Sequence, residues 1–216
     1  MSFIAQLKHN IKHHLPGEKA HKRLSPLHRP ITSEVIKNLT EYKESAVSII
    51  LFKAEQEQEY KCILIQRSEY DGKHSGQISF PGGKKDAIDI DLQHTAIREC
   101  FEEIGVVLSL NFCLGKLSPV YIPVSGFLVE PFVFIYPRIP KFNIDVREVA
   151  SVFTITLNEL LAEDVISEMK ITSENKLVKL NVPCFQIKKN KIWGATALIL
   201  NELRELIQET ELNKLA

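Results

Sequence analysis

Residues 98–105 of this chain read Arg98-Glu99-Cys100-Phe101-Glu102-Glu103-Ile104-Gly105. At about 100° per residue of an α-helix, the three glutamates fall within roughly a third of the circumference, and the apolar residues, Phe101 included, should face the core. Carboxylates this close repel one another, so a folded helix that carries them needs a compensating cation. Mg²⁺ and Mn²⁺ prefer carboxylate oxygen and water. The stretch therefore predicts a metal-binding acidic face, with Arg98 holding Glu102 one turn on; a solvated amphipathic helix is the alternative.

The loop before this helix contains Ser79-Phe80-Pro81-Gly82-Gly83. Pro81 fixes φ, and the two glycines are free to take positive φ, so the backbone can turn sharply and approach a ligand closely. One of the aspartates at 86, 89 and 91 should cap the helix, and Gly105 should end it in the left-handed conformation. Loop, cap, acidic helix and stop are expected to form one unit.

This unit resembles the signature of the Nudix hydrolases. The matching residues, in order, are Gly83, Asp89, Arg98, Glu99, Glu102, Glu103, Gly105 and Val106. Two features depart from the common form: Asp89 replaces the usual glutamate, and the spacer 90–97 is one residue longer. The resemblance implies a hydrolase of a nucleoside diphosphate linked to another moiety. It also implies Mg²⁺ or Mn²⁺ as cofactor, Glu99, Glu102 and Glu103 as metal ligands and catalytic residues, and Arg98 in the catalytic set.

The residues just upstream resemble the extra motif of the coenzyme A pyrophosphatase branch of this family. The matches are the apolar run 63–65, Arg67-Ser68, His74, Gly76 and Phe80-Pro81-Gly82-Gly83, while Gly72 stands where the branch has a second arginine. Further matches lie at 117–120, 123–126 and 192–197. The resemblance implies cleavage of coenzyme A or a derivative to 3′,5′-ADP and 4′-phosphopantetheine or its acyl form. It places Arg67, His74, Gly82 and Gly83 in substrate binding.

The residue types at 67 and 74 suit a phosphate-bearing substrate. Arg67 is always charged and offers a planar donor fork, and His74 can donate near neutral pH. Their alternative interpretation is a strand-end surface charge and a loop residue. Two other candidates stay outside the predicted set: Glu148, which could reach the metal or be a surface glutamate, and Trp193, which could stack on an adenine or anchor the core.

Three alternative functions remain open. The same chemistry could act on another nucleoside diphosphate derivative, such as NADH or ADP-ribose. A non-catalytic ligand-sensing module could keep the fold without turnover, although the intact glutamates argue against it. An interaction protein is supported only by the unassigned N-terminal segment.

Composition limits the class of partner. The 216 residues hold 27 basic and 27 acidic side chains, so there is no overall positive charge to attract nucleic acid, and a small-molecule substrate is expected. No apolar run approaches the roughly 18 residues of a membrane span. The four cysteines have no C-x-x-C spacing, so we expect buried thiols in a reducing compartment, the cytoplasm by default.

The chain divides, in this interpretation, into an N-terminal helical extension at 1–44 and a hydrolase domain at 45–216. We predict helices at 2–14 and at 31–42, the latter capped by Thr32 or Ser33, with a basic connector at 18–30 between them, and a helix capped by Thr156. A last helix is predicted at 195–209, with five apolar residues mostly inward: Leu198, Leu200, Leu203, Leu206 and Ile207. Strands are expected at 46–52 and 60–65 as a hairpin, at 127–136 with Pro131 marking an edge or a bulge, and at 171–182 and 185–187. Five of seven histidines lie in the first thirty residues, and solvated surface histidines are favoured there over a metal site. The expected class is α+β, an α/β/α sandwich with a mixed sheet between helices.

Overall fold

The computed structural model describes residues 2–26, 29–53, 59–72, 74–172 and 179–212. Its helices are α1 (Phe3–His13), α2 (Glu18–Arg23), α3 (Thr32–Asn38), α4 (Leu92–Ile104), α5 (Leu157–Leu161) and α6 (Gly194–Leu212). Its strands are β1 (Lys43–Phe52), β2 (Lys61–Arg67), β3 (Ile78–Ser79), β4 (Gly82–Lys84), β5 (Cys113–Lys116), β6 (Val120–Ile122), β7 (Phe127–Tyr136), β8 (Val149–Thr156), β9 (Ile166–Thr172), β10 (Lys179–Ile187) and β11 (Asn190–Trp193). None of the helices in these ranges combines the length and hydropathy needed to cross a bilayer.

A mixed sheet forms the centre of the fold. Its strands follow the order β3-β2-β1-β7-β5, with β4 paired to β1, β6 to β7 and β8 to β2. β1 and β7 run parallel, whereas β1 and β2 form the predicted antiparallel hairpin. Strands β9, β10 and β11 form a separate antiparallel sheet. The predicted α+β architecture is confirmed.

Alternating side chains of β1 supply two cores, one on each face of the main sheet. Ile50 belongs to the core that also contains Ala96 and Cys100 of α4. Ile49 belongs to the larger core that contains Leu7 of α1 and Leu203 of α6. The acidic helix thus packs on one face of the sheet, and the first and last helices pack on the other.

Several local predictions are confirmed. Thr156 accepts a hydrogen bond from the backbone N–H of Glu159, whose side chain accepts in return from the backbone of Thr156, a complete capping box at α5. All five apolar residues predicted to point inward from α6 are buried, namely Leu198, Leu200, Leu203, Leu206 and Ile207. The predicted strand at 171–182 runs across residues 173–178, which lie outside the described residues.

Three local predictions are wrong. The segment 18–30 is not only a connector, because it contains helix α2, with acidic Glu18 in its first turn and basic residues in its last turn. His28 of that segment lies outside the described residues. Helix α3 is preceded by Ile31, so neither Thr32 nor Ser33 caps it, and Ser33 instead donates through its N–H and hydroxyl to the Glu18 carboxylate (2.6 and 2.8 Å). His21 is buried rather than solvated.

The prediction that Pro131 marks a sheet edge or a bulge is also wrong. Strand β7 is central, and Pro131 pairs with Val47 of β1 in unbroken parallel register. On the opposite side, Pro131 lies between the ends of two partner strands, since the last residue of β5, Lys116, pairs with Phe132, and the first residue of β6, Val120, pairs with Val129. A proline fits there because no ladder bond is needed from its nitrogen.

The N-terminal extension shares the core of the rest of the chain. Leu7, Ile11 and Leu24 are buried in the cluster that also holds the apolar face of α6. The predicted boundary between residues 44 and 45 falls inside β1.

Candidate metal centre

Helix α4 begins and ends as its sequence predicts. Asp91 is the N-cap, and its Oδ1 accepts from the backbone N–H of His94 at 2.9 Å. Gly105 takes φ 71°, and a side chain there would collide with Asn143. These two ends set the direction in which the glutamates project.

The two glycines before the helix are closely packed, Gly82 against the backbone of β1 and Gly83 against the Glu99 carboxylate. Gly82 has φ 153°, and a Cβ at this position would overlap Ala46 O and Val47 of β1. Gly83 has no positive φ, but a Cβ there would clash with the Glu99 carboxylate unless that side chain moved. The loop therefore presents backbone without side chains, and the Glu99 carboxylate packs directly against it.

Glu103 is the most buried carboxylate of the predicted site, at 1% exposure. The Gly82 N–H donates to its Oε2 at 2.8 Å, and Arg67 Nη1 donates to its Oε1 at 3.1 Å. Burial raises its pKa to about 7, and the neighbouring charges of Glu99 and Glu148 act in the same direction. The hydrogen bond from Gly82 and the charge of Arg67 offset only part of that rise in pKa.

Arg98 joins the other two glutamates of the helix. Its Nη1 donates to Glu99 Oε1 at 2.8 Å and to Glu102 Oε2 at 2.7 Å, so the predicted hold on Glu102 is confirmed. The Glu99 side chain is 14% exposed and that of Glu102 is 55% exposed. Burial raises the pKa of Glu99 despite the adjacent guanidinium. The three carboxylates thus occupy three different environments along one turn.

Asp89, left out of the predicted site, is the anchor of Arg98. Arg98 Nε and Nη2 donate to the two Asp89 carboxylate oxygens at 2.8 Å each, a bidentate pair. Asp89 Oδ2 also accepts from the Asp86 N–H and the Thr95 hydroxyl, at 2.8 and 2.9 Å. The Arg98 guanidinium holds the Asp89 pKa well below its usual range. The sequence feature that indicates a functional role for Asp89 is its position in the signature motif.

Two of the predicted substrate-binding residues differ in their contacts: Arg67 contacts the acidic helix, and His74 contacts two other segments. Arg67, at the end of β2, contacts the buried Glu103 directly. His74 takes φ 67°, unusual for a residue with a side chain, and its ring lies between Gln77 Oε1 and Ser125 Oγ, each at 3.1 Å from a ring nitrogen. Ser125 belongs to the 123–126 motif, so the structure brings two separate sequence motifs together at His74.

Glu148, the open candidate, is exposed and lies near the same carboxylates. Its backbone carbonyl accepts from the Ser68 N–H at 2.9 Å, next to Arg67. Its charge raises the pKa of both Glu99 and Glu103. A fourth carboxylate therefore lies within electrostatic range of the helix.

The predicted division of α4 into an acidic and an apolar face is wrong at Phe101. That ring is 56% exposed, whereas Glu103 is buried on the side of the helix that packs against the chain. The helix is turned so that Glu103 points inward to Gly82 and Arg67. Burial of this carboxylate is possible because both its oxygens have donors.

Within the described ranges, no three His, Cys, Asp or Glu side chains already stand in the geometry of a metal cage. The donor set nevertheless fits a hard divalent cation. Burial raises the pKa of both Glu99 and Glu103, and repulsion acts in the same direction, from Glu102 and Glu148 on Glu99 and from Glu99 and Glu148 on Glu103. Carboxylate oxygens in this situation are the ligands that Mg²⁺ and Mn²⁺ prefer.

Known proteins similar to this chain indicate its family and fold. A family model described as the NUDIX domain matches residues 43–175. A relative from Yersinia pestis (strain Pestoides F), named Uncharacterized Nudix hydrolase NudL, is 36% identical over 146 residues, which cover 67% of this chain and 71% of the relative. The crystal structure of a MutT/nudix family protein from Enterococcus faecalis has a similar fold, with a TM-score of 0.50, 16% identity, and coverage of 92% of this chain and 73% of that one.

Proposed function

We propose, from the premise that this chain belongs to the Nudix family, that it hydrolyses the diphosphate bond of coenzyme A or a derivative to 3′,5′-ADP and 4′-phosphopantetheine or its acyl form. The observation that supports this choice most is the contact between Arg67 and Glu103. It joins the upstream Arg-Ser motif to a buried carboxylate of the signature helix. The contact of His74 with Ser125 joins two further motifs that resemble the same branch.

The carboxylates of Glu99, Glu102 and Glu103 would hold the Mg²⁺ or Mn²⁺, with Glu148 beside them. A bound divalent cation neutralises diphosphate charge and lowers the pKa of water. The chain itself positions these groups. Arg98 orients Glu99 and Glu102, and Asp89 fixes Arg98 from behind.

The substrate would be held by the groups that face this centre. The planar fork of Arg67 suits phosphate oxygens. Gly82 and Gly83 present backbone without side chains, so a diphosphate can approach closely. Both ring nitrogens of His74 have partners, which fixes the orientation of its ring.

The substrate assignment is tested in the presence of Mg²⁺ or Mn²⁺. The protein is incubated separately with coenzyme A, an acyl-coenzyme A, NADH and ADP-ribose. We expect the highest kcat/KM with coenzyme A or its ester, and 3′,5′-ADP as a product identified by mass spectrometry. A higher kcat/KM with ADP-ribose or NADH would reject the coenzyme A assignment and leave the hydrolase assignment standing. No turnover of any of the four compounds would reject the coenzyme A assignment and favour the non-catalytic ligand-sensing alternative.

For Asp89→Asn we expect kcat to fall by about 10- to 100-fold, the usual cost of losing a group that orients metal ligands. The amide keeps the size of the side chain but removes the charge that holds Arg98. The Mn²⁺ concentration for half-maximal activity should rise as well, which a purely structural role would not produce. Thr95→Val is the matched control, since it removes one Asp89 hydrogen bond and leaves the charge; an equal loss in both variants would contradict the role of the ion pair.

A further inference from the structure

Three histidines meet at the C-terminal end of α1, away from the carboxylate centre. The ring centroids of His9 and His13 are 4.8 Å apart, and the His14 ring lies 5.6 Å from His9 and 6.4 Å from His13. All three side chains are exposed. The proposed hydrolysis uses none of them.

The backbone under these rings is firmly anchored. Asn10, between them in sequence, is buried, and its Nδ2 donates to Thr210 Oγ1 of α6 at 3.1 Å. Leu7 and Ile11 are buried on the same side of α1. His14 is the C-cap: its backbone N–H donates to Asn10 O at 2.8 Å, while its dihedral angles leave the helix and its ring turns back toward His9.

We propose that His9 and His13, with His14 beside them, bind a late divalent transition-metal cation such as Ni²⁺, Cu²⁺ or Zn²⁺. Residues four apart lie one above the other on a helix, so both imidazoles can face one ion. Imidazole nitrogen suits these metals, whereas Mg²⁺ prefers oxygen. The described residues hold no preformed cage of three such side chains. The site therefore takes the helical pair, and rotation of exposed His14 adds a third ligand.

The positive charges near the three histidines favour binding of late transition metals over Mg²⁺. Lys8 and Lys12 are exposed on the same helix, and their ammonium groups repel any cation. A weakly coordinated ion such as Mg²⁺ gains too little from imidazole to offset this repulsion. Metals late in the first transition series gain more, since their affinity for nitrogen sites rises toward Cu²⁺.

The test is isothermal titration of Ni²⁺ into the full chain in saturating Mg²⁺. Wild-type protein, the double variant Glu99→Gln/Glu103→Gln, and the histidine control His94→Ala should each bind one Ni²⁺. His9→Ala and His13→Ala should each weaken that binding by about tenfold or more. Both substitutions lie on an exposed helix surface and increase helix propensity, so folding is retained and is checked by circular dichroism.

Nuclear magnetic resonance gives a second readout on the same samples. Paramagnetic Ni²⁺ should broaden the amide signals of α1 in wild-type protein and not in His13→Ala. Ni²⁺ binding that persists unchanged in both His9→Ala and His13→Ala would overturn the proposal. Loss of binding in the carboxylate double variant would also overturn it, because the ion would then belong to the hydrolytic centre.

Discussion

In Glu103→Gln we expect kcat for diphosphate hydrolysis to fall by about 10²- to 10⁴-fold. The amide has the shape of the glutamate and still offers an oxygen to the Gly82 N–H. It has no negative charge to hold a cation or accept a proton, and it leaves Arg67 without its anionic partner. The expected loss is therefore chemical rather than structural.

The same substitution should stabilise the metal-free protein at alkaline pH. The raised pKa of Glu103 means that the folded state binds a proton more tightly than the unfolded chain does. Its stabilising contribution is fully present below the ordinary pKa of 4.5 and is lost as pH rises through about 7. A rise in pKa of this size corresponds to on the order of 3 kcal/mol. Wild-type protein in EDTA should thus lose stability between pH 5 and pH 8, and Glu103→Gln should lose much less.

Product chromatography gives kcat, and urea unfolding in EDTA at both pH values gives the free energies. Glu130→Gln is the matched control, because Glu130 is partly buried and, like Glu103, is paired with a basic side chain, Lys116 at 2.9 Å, but it lies on β7 outside the candidate site. Two results would count against the assignment: full activity in Glu103→Gln, or an identical pH dependence of stability in Glu103→Gln and wild type.

The sequence predicted correctly those elements that depend only on residues close together along the chain. The hairpin of β1 and β2 follows from two β-branched runs, and the capping box at Thr156 requires only a threonine and a glutamate three residues apart. Pro131 shows the limit of this reasoning. Proline is tolerated in a central strand when its neighbour on one side ends, and where neighbouring strands end is a property of the whole sheet.

The site shows the same division between local pattern and tertiary contact. The signature placed Arg98 and its glutamates on one helix, and the structure confirms the contact of Arg98 with Glu102. The rotation of the helix was not predictable from spacing alone, because Glu103 and Phe101 exchange their expected environments. A buried glutamate is stable there only through donors from Gly82 and Arg67, which are far away in sequence. The Asp89–Arg98 pair likewise depends on a loop conformation that composition does not specify.

The N-terminal segment was the least predictable part of the chain. Its His-rich, basic sequence is typical of a solvated connector, yet His21 is buried and its Nε2 lies 3.0 Å from Glu202 Oε2. The partner lies 181 residues further along the chain. No periodicity within the segment indicates such a contact.

Glu202→Gln should lower the free energy of unfolding by about 3 kcal/mol or more, because it would leave buried hydrogen-bond donors unsatisfied at about 1–3 kcal/mol each. Glu202 on α6 is fully buried. Its oxygens accept from the Gly17 N–H (3.1 Å), the Ser118 N–H (3.1 Å) and the Ser118 hydroxyl (2.7 Å), and Oε2 contacts His21. An amide has one acceptor oxygen, and its NH₂ group would face donors. The substitution therefore disrupts the junction of α2, the loop before β6 and the last helix.

The pH dependence separates this effect from that of Glu103. Burial alone would raise the pKa of Glu202, but the hydrogen bonds with His21 and Ser118 hold it below its ordinary value. Its contribution to stability is present above about pH 4.5, the ordinary pKa, and is lost as pH falls through the lowered value. Urea unfolding in EDTA from pH 3 to pH 8 should resolve two losses of stability. The contribution of Glu103 is lost between pH 4.5 and 7 as the pH rises, and that of Glu202 is lost below pH 4.5 as the pH falls.

Glu209→Gln, on the same helix, is the matched control for Glu202→Gln and should stay within about 0.5 kcal/mol of wild type. The destabilised variant should keep its kcat at temperatures where it is folded, because Glu202 belongs to the junction with the N-terminal segment and not to the carboxylate centre. If Glu202→Gln has the same free energy of unfolding as wild type, the four contacts of Glu202 contribute no net stabilisation. A fall in kcat for fully folded Glu202→Gln would instead show that the N-terminal junction positions the site across the sheet.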